Sequence, residues 1–289
     1  MQSLSLASKL RRATLGGTLT ILTAAAALAQ TAPPHYYGVT YYKTLPDKAA
    51  EYRKFLETDG AKMFQAGIDD GSVEAIYMLR LTAPYVTGSD FDYIQVVWYK
   101  GSPSLDVTPR SVWDARAKKA GVASYQAYLD KRNTLAKPVR SAWRTSYARL
   151  GDLHVGNYVR TVSAQVDSEF RQDELNFLET YTMALAKLRI AEGGEVGWSL
   201  GRPAAAIGSD DEAGFSFVIS NVMKDSATLM AGPGTLTEER FKKALPGKSF
   251  AAYEAELARL NAHRKNVTTR IAEVVVLVGK LSTVNPVMP

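Results

Sequence analysis

No cysteine occurs among the 289 residues, so disulfide bonds, thiolate-held metal centres and a cysteine nucleophile are excluded. Only three histidines are present, and a metal centre built from several of them is not expected. Hydrophobic residues make up 46% of the chain and charged residues 22%, which is typical of a folded globular protein and not of a disordered or fibrous one. The sequence predicts a folded protein without a metal ion, stabilised by its hydrophobic core alone.

The start of the sequence has the pattern of a cleavable export signal. Lys9 and an arginine pair precede residues 13–29, which are small, apolar and uncharged. Ala27-Leu28-Ala29 matches the small-x-small pattern that signal peptidase cuts. We expect a Sec-type signal peptide over residues 1–29 and a periplasmic or secreted protein. A twin-arginine route and an uncleaved membrane anchor are the alternatives.

Charge and hydropathy narrow the classes of partner. The signal segment contains three of the 35 basic residues and none of the 29 acidic ones, so the rest of the chain has a formal net charge of +3. So small an excess, without a Lys/Arg cluster, gives no indication of a nucleic-acid partner. Beyond residue 29 no apolar run approaches the length of about 18 residues that a membrane span needs, so no stable insertion is expected after cleavage. A homo-oligomer is left open.

Two parts of the sequence repeat each other at an offset of 122 residues. Phe55-Leu56-Glu57-Thr58 recurs verbatim as Phe177-Leu178-Glu179-Thr180, and Arg80 matches Arg202 at the same offset. Further matches follow in the same order, with Pro84 before Gly88-Ser89-Asp90 and Pro203 before Gly208-Ser209-Asp210. We interpret these matches as an internal duplication, with one copy in residues 30–150 and the other in residues 151–289.

Each copy has the element pattern β-α-β-β-α-β. Periodicity predicts strands at 36–43, 74–81, 92–99 and 139–150 in the first copy, and at 157–166, 195–202, 215–222 and 269–279 in the second. Helices are predicted from Pro46 to Gly67, over 111–135, over 168–192 and over 236–265, and Gly67 is expected to end the first of them in a left-handed conformation. The apolar run Val274-Val275-Val276 indicates a last strand that is buried on both faces.

This order is that of the ferredoxin-like fold, in which helices cover one side of an antiparallel sheet. The doubled pattern over residues 36–281 resembles the dimeric α/β-barrel superfamily. It is most similar there to secreted bacterial proteins of unassigned function, in which a Pro…Gly-(Ser/Thr)-Asp loop leads into an aromatic strand, as Pro84–Tyr93 does here. The resemblance implies an α+β fold of two tandem ferredoxin-like βαββαβ repeats, packed as an intramolecular pseudo-dimeric α/β barrel.

The candidate ligand-binding residues are two arginines kept in both copies and a set of aromatic residues. A guanidinium at the rim of an apolar strand face can hold a carboxylate or phenolate in two hydrogen bonds, although a loop acid such as Asp90 or Asp210 is the alternative partner. Crowded strand aromatics suit either a pocket for a flat organic molecule or a filled core. The predicted ligand-binding residues are Arg80, Arg202, Tyr37, Tyr41, Tyr93 and Trp198.

Other candidates have structural explanations. Glu57 and Glu179 match between the copies, but each lies beside the apolar stripe of a helix and favours a solvated flank or a salt bridge over acid–base work. Asp210-Asp211-Glu212 lacks the spacing of a calcium loop. The resemblance implies that haem-binding relatives use a helix histidine as axial ligand, and His263 is the only position that matches. A histidine interacting with a helix end is the alternative there.

The residues form no acid–base–nucleophile set, so no catalytic residue is assigned and no cofactor is expected. The sequence favours an exported, soluble tandem barrel that binds a small apolar or aromatic molecule. The first alternative, implied by the resemblance, is an enzyme of the same superfamily, either a cofactor-free oxygenase or isomerase or a haem protein. The second alternative is a structural or protein-interaction module whose interior is filled.

Overall fold

Eight antiparallel strands close into a barrel whose outer surface is covered by helices. The computed structural model describes residues 35–82, 89–100, 108–208 and 215–284. The predicted signal segment 1–29, the part of the first loop from Pro84 to Gly88 and the acidic residues 210–212 lie outside the described residues. Within the described part of the chain, no helix is long and apolar enough to cross a membrane.

The strands follow a simple order around the barrel. Neighbours pair in the sequence β1-β3-β2-β8-β5-β7-β6-β4, and β4 returns to β1. Counted from β4, the first four strands and the last four have the same internal order, and the two sets join at β2–β8 and β6–β4. The strands are β1 (His35–Thr44), β2 (Val73–Leu81), β3 (Tyr93–Tyr99), β4 (Ala136–Gly151), β5 (Tyr158–Val166), β6 (Gly197–Gly208), β7 (Phe217–Met223) and β8 (Arg264–Gly279). This architecture confirms the predicted α+β class and the closed barrel.

One long helix in each half contains a π-helical turn, at Leu56–Gly60 and at Leu178–Thr182. Both turns begin in the repeated Phe-Leu-Glu-Thr sequence, so the two copies share a backbone conformation there as well as a pattern of apolar residues. Serines cap later helices through their side chains, as Ser124 does for Ala127 N–H at 3.1 Å. The helices are α1 (Ala49–Phe55), α2 (Ala61–Asp69), α3 (Arg110–Lys119), α4 (Tyr125–Asn133), α5 (Arg171–Phe177), α6 (Met183–Ala191), α7 (Ser226–Ala231), α8 (Glu238–Ala244) and α9 (Phe250–Asn261).

Alternate residues of each strand pack on opposite sides of the barrel wall. Inward-facing residues such as Val39, Ile94 and Val274 form the core of the barrel interior. Outward-facing residues such as Met78 and Leu200 pack under the helices. Val274, Val275 and Val276 are each at most 5% exposed, which confirms that the last strand is buried on both faces.

The first long helix ends later than its sequence predicts. Gly67 is buried inside α2, which continues to Asp69. The left-handed glycine is Gly71, with φ +81°. Gly67 lies beside Val73 and the Arg116 guanidinium, both 3.9 Å from where a Cβ would lie. A Cβ at this distance would make ordinary van der Waals contact, so neither a turn nor a close approach requires glycine at position 67.

Asp92 ties the start of β3 to the end of β1. Its Oδ2 accepts hydrogen bonds from the Thr44 backbone N–H at 2.9 Å and from the Thr44 hydroxyl at 2.5 Å, and its Oδ1 lies 2.9 Å from the Lys43 ammonium. Burial alone would raise the pKa of Asp92, but the Thr44 hydrogen bonds and the Lys43 charge outweigh it and hold the pKa below its usual value.

Replacing Asp92 with asparagine should lower the free energy of unfolding at neutral pH by about 1–2 kcal/mol, because charge-assisted hydrogen bonds are lost. A carboxyl whose pKa is depressed in the folded protein stabilises it above about pH 4, and this stabilisation is lost as the pH falls through the folded-state pKa. The difference in free energy of unfolding between wild type and Asp92→Asn should therefore become smaller below pH 4. Urea unfolding at neutral and acidic pH measures it, with the exposed Asp130→Asn as control. A gap of constant size at all pH values would contradict the prediction.

Candidate functional site

A cavity of about 400 Å³ lies in the second half of the chain, between the outer face of the barrel and the helices above it. Strands β5 and β7 form its floor, and α5, the following π-turn and α9 form its roof. Its volume falls within the range of about 300–1,000 Å³ that is typical of small-molecule sites. It is lined by Val162, Ala164, Glu174, Phe177, Leu178, Thr182, Phe217, Ile219, Tyr253, Leu257, Asn261, Arg264 and Val267. We call it the second-half pocket.

Strand register explains why this space is open in one half and filled in the other. Tyr42 on β1 pairs with Tyr93 at the start of β3, and Ala164 on β5 pairs with Phe217 at the start of β7. In the first half the ring of Tyr42 lies 6.2 Å from that of Tyr52, which is edge-on to Tyr93 at 5.0 Å. All three tyrosines are at most 5% exposed. Ala164, at the position that corresponds to Tyr42, has no ring to fill this space.

The helix above the sheet differs in the same way. Tyr52 is the fourth residue of α1, and Glu174 is the fourth residue of α5. A buried phenol ring in the first half is thus replaced by a shorter carboxylate side chain in the second. The two differences, at Ala164 and at Glu174, together remove the volume that keeps the first half solid.

The polar end of the pocket is a buried ion pair. Glu174 is 3% exposed, and both of its carboxylate oxygens accept from Arg264, with Nη2 to Oε1 at 2.6 Å and Nε to Oε2 at 3.0 Å. The Asn261 side-chain oxygen accepts from Arg264 Nη1 at 2.5 Å. Because the two charges neutralise each other, this end of the pocket offers hydrogen-bonding groups without a net charge.

The other wall is aromatic. Phe177 and Tyr253 stack with ring centroids 5.5 Å apart, and Tyr253 also packs on Phe241 at 5.1 Å. Burial raises the pKa of Tyr253, so its hydroxyl is neutral at physiological pH. An apolar body and one uncharged polar end define the molecule that this pocket suits.

Tyr37 and Tyr41, two of the predicted binding residues, face the barrel interior. The ring of Tyr37 stacks on Trp98 at 4.6 Å, and the Tyr41 hydroxyl accepts from Arg144 Nη2 at 2.9 Å. The cavity beside them measures about 50 Å³, which is far below the volume of an organic ligand. This pair therefore lies in a packed interior.

The other four predicted residues face the helices. Arg80 pairs with Glu273 of β8 at 2.5 Å, so its partner is a strand acid across the β2–β8 seam and not a loop acid. Tyr93 is buried in the first half under Tyr52. Arg202 lies over the ring of Tyr147 at 5.0 Å. The structure does not bring the six residues together into one cavity.

Trp198 is the predicted residue nearest to the second-half pocket. It is 1% exposed and belongs to the same packed cluster as Leu178 and Phe217, which line the pocket. The lining residues themselves were missed because most are apolar and look like ordinary core. They could have been found by comparing the two copies at the offset of 122 residues, since the large Tyr42 of the first copy corresponds to the small Ala164 of the second.

The residues present do not fit a haem group. The ring of His263 stacks on Phe170 at 3.5 Å, and its Nδ1 lies 3.2 Å from Asp167, so the side chain is held in the turn after α9. It is not among the described residues that line the pocket, none of which is histidine, cysteine or methionine. Tyr253 does line it, but burial raises the pKa of this phenol and so disfavours the phenolate that would bind iron. Across the described ranges, no group of three or more His, Cys, Asp or Glu residues is placed to hold a metal ion.

A closed eight-stranded antiparallel barrel with helices outside defines the dimeric α/β-barrel class, and this chain has that fold. It is similar to a provisionally assigned monooxygenase from Lactobacillus acidophilus NCFM, with a TM-score of 0.53 and 10% identity over 88% of this chain and 100% of that one. It is equally similar to one from Fusobacterium nucleatum, with a TM-score of 0.53 and 10% identity over 86% and 96%. No protein-family model matches the sequence, and no curated protein matches it. At 10% identity the likeness shows the fold alone.

Proposed function

We propose that the chain binds a small, largely apolar or aromatic molecule in the second-half pocket. The observation that carries the proposal is the contrast between the halves. Tyr42 and Tyr52 fill the space under the first helix, whereas Ala164 and Glu174 leave about 400 Å³ open at the equivalent place. The space is a half-open pocket bordered by the exposed Val267, whereas the described residues around Tyr42 and Tyr52 in the first half form a closely packed cluster.

The ligand that fits is uncharged and carries a hydrogen-bonding group at one end. Phe177, Phe217 and Leu257 supply apolar contact along the body of the pocket. The Glu174–Arg264 pair closes one end, where a charged ligand would upset its internal neutrality. A phenol, an alcohol or an amide satisfies both conditions.

Binding is favoured over catalysis because of how the polar groups are held. Glu174, the one carboxylate among the described lining residues, is engaged by Arg264 on both oxygens. The Arg264 charge stabilises the ionised form of this carboxylate and so weakens it as a general base. A cofactor-free oxygenase or isomerase acting on the same ligand is the second candidate, and its support is the similarity of fold to the two provisionally assigned monooxygenases.

Filling the pocket tests the proposal. Ala164→Tyr introduces the ring that Tyr42 supplies in the first half and should weaken binding of 1-naphthol by tenfold or more, as measured by isothermal titration calorimetry. Val155→Tyr adds the same ring at an exposed position and serves as the matched control. The panel consists of 1-naphthol, related phenols and uncharged quinones, and a fatty acid serves as the charged ligand that should not bind. Equal binding by wild type and Ala164→Tyr, or no binding by any member of the panel, would refute the pocket.

We also propose that the barrel arose by duplication, with copies in residues 30–150 and 151–289. The matching strand order of the two halves supports this, as do the two π-turns in the repeated tetrapeptide. Further support comes from β4 and β8, which are both 16 residues long and end at the left-handed glycines Gly151 and Gly279. In this interpretation each copy is a ferredoxin-like unit, and the chain forms its own pseudo-dimer.

Export remains a proposal that rests on residues 1–29. A bacterial host expressing the full sequence should accumulate a periplasmic or secreted product that begins at Gln30. Intact mass and N-terminal sequencing measure this. A product that retains Met1 and stays with the membrane would favour the anchor instead. The same material, run on a calibrated sizing column, reports whether copies associate.

A further inference from the structure

A second cavity, separate from the second-half pocket, lies at one end of the barrel interior. It measures about 40 Å³. By this measure a water molecule needs roughly 10–15 Å³, so the cavity is too small for an organic ligand but has room for one small ion. The residues that matter in its wall are Arg149, Trp98, Tyr77, Ser199 and Ser220. We call it the Arg149 cavity.

A bulge in β4 brings Arg149 to this position. Register shifts between Ser146 and Ala148 where β4 pairs with β6, and this interrupts the alternation of side chains. Ala148 packs under the helices of the second half, and Arg149, the next residue, lines the interior cavity. Its guanidinium lies over the Trp98 ring at 4.5 Å. The bulge thus places a cation inside the barrel.

The donors of Arg149 are only partly satisfied. Arg149 is 5% exposed, and its Nη2 donates to Glu74 Oε1 at 3.3 Å. Its Nε and Nη1 are buried and have no hydrogen-bond partner among the described residues. The indole Nε1 of Trp98, which is 3% exposed, also meets no acceptor in hydrogen-bond geometry, although the Tyr77 hydroxyl is near enough for the indole N–H to lower the pKa of that phenol. Buried N–H groups without acceptors are costly, so two neighbouring side chains with such groups indicate a missing acceptor.

Three hydroxyl groups complete the polar part of the wall, and each of them can donate a hydrogen bond. Burial raises the pKa of Tyr77 to about 12, so its hydroxyl keeps its proton at neutral pH. Ser199 and Ser220 contribute two more hydroxyls. The carboxylate of Asp152 also borders the cavity, but that residue is exposed and water screens its charge.

We propose that the Arg149 cavity binds a small inorganic anion of halide size, held by the guanidinium of Arg149 and the indole N–H of Trp98. Such an ion accepts several hydrogen bonds and donates none, which matches a wall rich in N–H and O–H groups. Unlike Arg264, whose fork is fully engaged by its carboxylate, Arg149 reaches the half-buried Glu74 through Nη2 alone at 3.3 Å, and its Nε and Nη1 are left for the anion.

Thermal unfolding in sodium chloride and in sodium gluconate at equal ionic strength tests the proposal. At a tenfold excess of chloride over its dissociation constant, the unfolding midpoint should rise by roughly 3–5 °C, with saturation as chloride increases. Ala164→Tyr should show the same rise, because it alters only the second-half pocket. Equal midpoints in the two salts at every concentration would overturn the proposal.

A matched pair of variants assigns the effect to the cavity. Trp98→Phe keeps a ring but removes the N–H, and should abolish most of the chloride-dependent rise. Trp143→Phe makes the same change on the outer face, where Trp143 packs on Tyr99 at 4.9 Å, and should retain it. Crystals of the wild-type chain soaked in bromide keep the proposal testable if Trp98→Phe fails to fold. An anomalous peak beside Arg149 supports it, and density without an anomalous signal contradicts it.

Discussion

Gly151→Ala should lower the free energy of unfolding by more than about 3 kcal/mol, as measured by urea denaturation. Gly151 ends β4 with φ +73°, a conformation that side chains rarely adopt. A Cβ at this position would also collide with the carbonyl oxygen of Val196 and lie 2.9 Å from the Cα of Gly197. Since these are backbone atoms at the β4–β6 seam, they move only if the barrel opens there.

A substitution at Gly71 measures the cost of the left-handed backbone conformation without a steric collision. It has φ +81°, but a Cβ there would meet nothing within 4 Å. Gly71→Ala should therefore cost only about 1–2 kcal/mol, the price of the left-handed conformation itself. Gly279→Ala at the β2–β8 seam should behave like Gly151→Ala, because its Cβ would collide with the carbonyl oxygen of Glu74. Equal losses at Gly71 and Gly151 would show that the seam is not tightly closed.

Much of the fold is readable from the sequence because its signals are local or repeated. Alternating apolar and aromatic residues identify each of the eight strands, but β6 runs on to Gly208 beyond the predicted 195–202 and β8 begins at Arg264 before the predicted 269–279. The Phe-Leu-Glu-Thr repeat identifies corresponding helices. The errors have local physical causes. Gly67 lies inside a helix that continues to Asp69, and β4 begins at Ala136, before the predicted 139–150, because the irregular ladder against β1 accommodates Pro138 at a register shift.

The candidate site is less readable, because it depends on which side of the barrel wall each residue faces. Tyr37, Tyr41 and Tyr93 all look like strand aromatics, but only the first two face the interior. The partner of Arg80 is Glu273, which is 193 residues away in sequence and reaches it only because β2 and β8 pair. Strand patterns give no information about a seam between the two halves. The sequence shows that Tyr42 in the first copy corresponds to Ala164 in the second. Only the structure shows that this difference leaves open volume, because the packed first half is needed for comparison.

The second large effect is expected at the buried ion pair. Arg264→Met should destabilise the protein by about 3–5 kcal/mol in urea denaturation, because it leaves the buried Glu174 carboxylate without a compensating charge. The matched control is Arg259→Met on α9. Arg259 lies 2.7 Å from Asp173, but both side chains are well exposed, so the loss should be at most about 1 kcal/mol. Similar losses for the two variants would mean that water reaches the Glu174–Arg264 pair.

A double variant distinguishes the cost of an orphaned charge from the value of the pair itself. Glu174→Leu with Arg264→Met removes both charges and should recover most of the stability that Arg264→Met loses, since a buried pair and a hydrophobic replacement are often close in free energy. The pocket would then be apolar at both ends, and an uncharged ligand with one hydrogen-bonding group should bind more weakly than to wild type. Restored stability with unchanged ligand affinity would place the ligand away from Glu174 and Arg264. Restored stability with weakened affinity would mean that the ion pair is kept for recognition and not for folding.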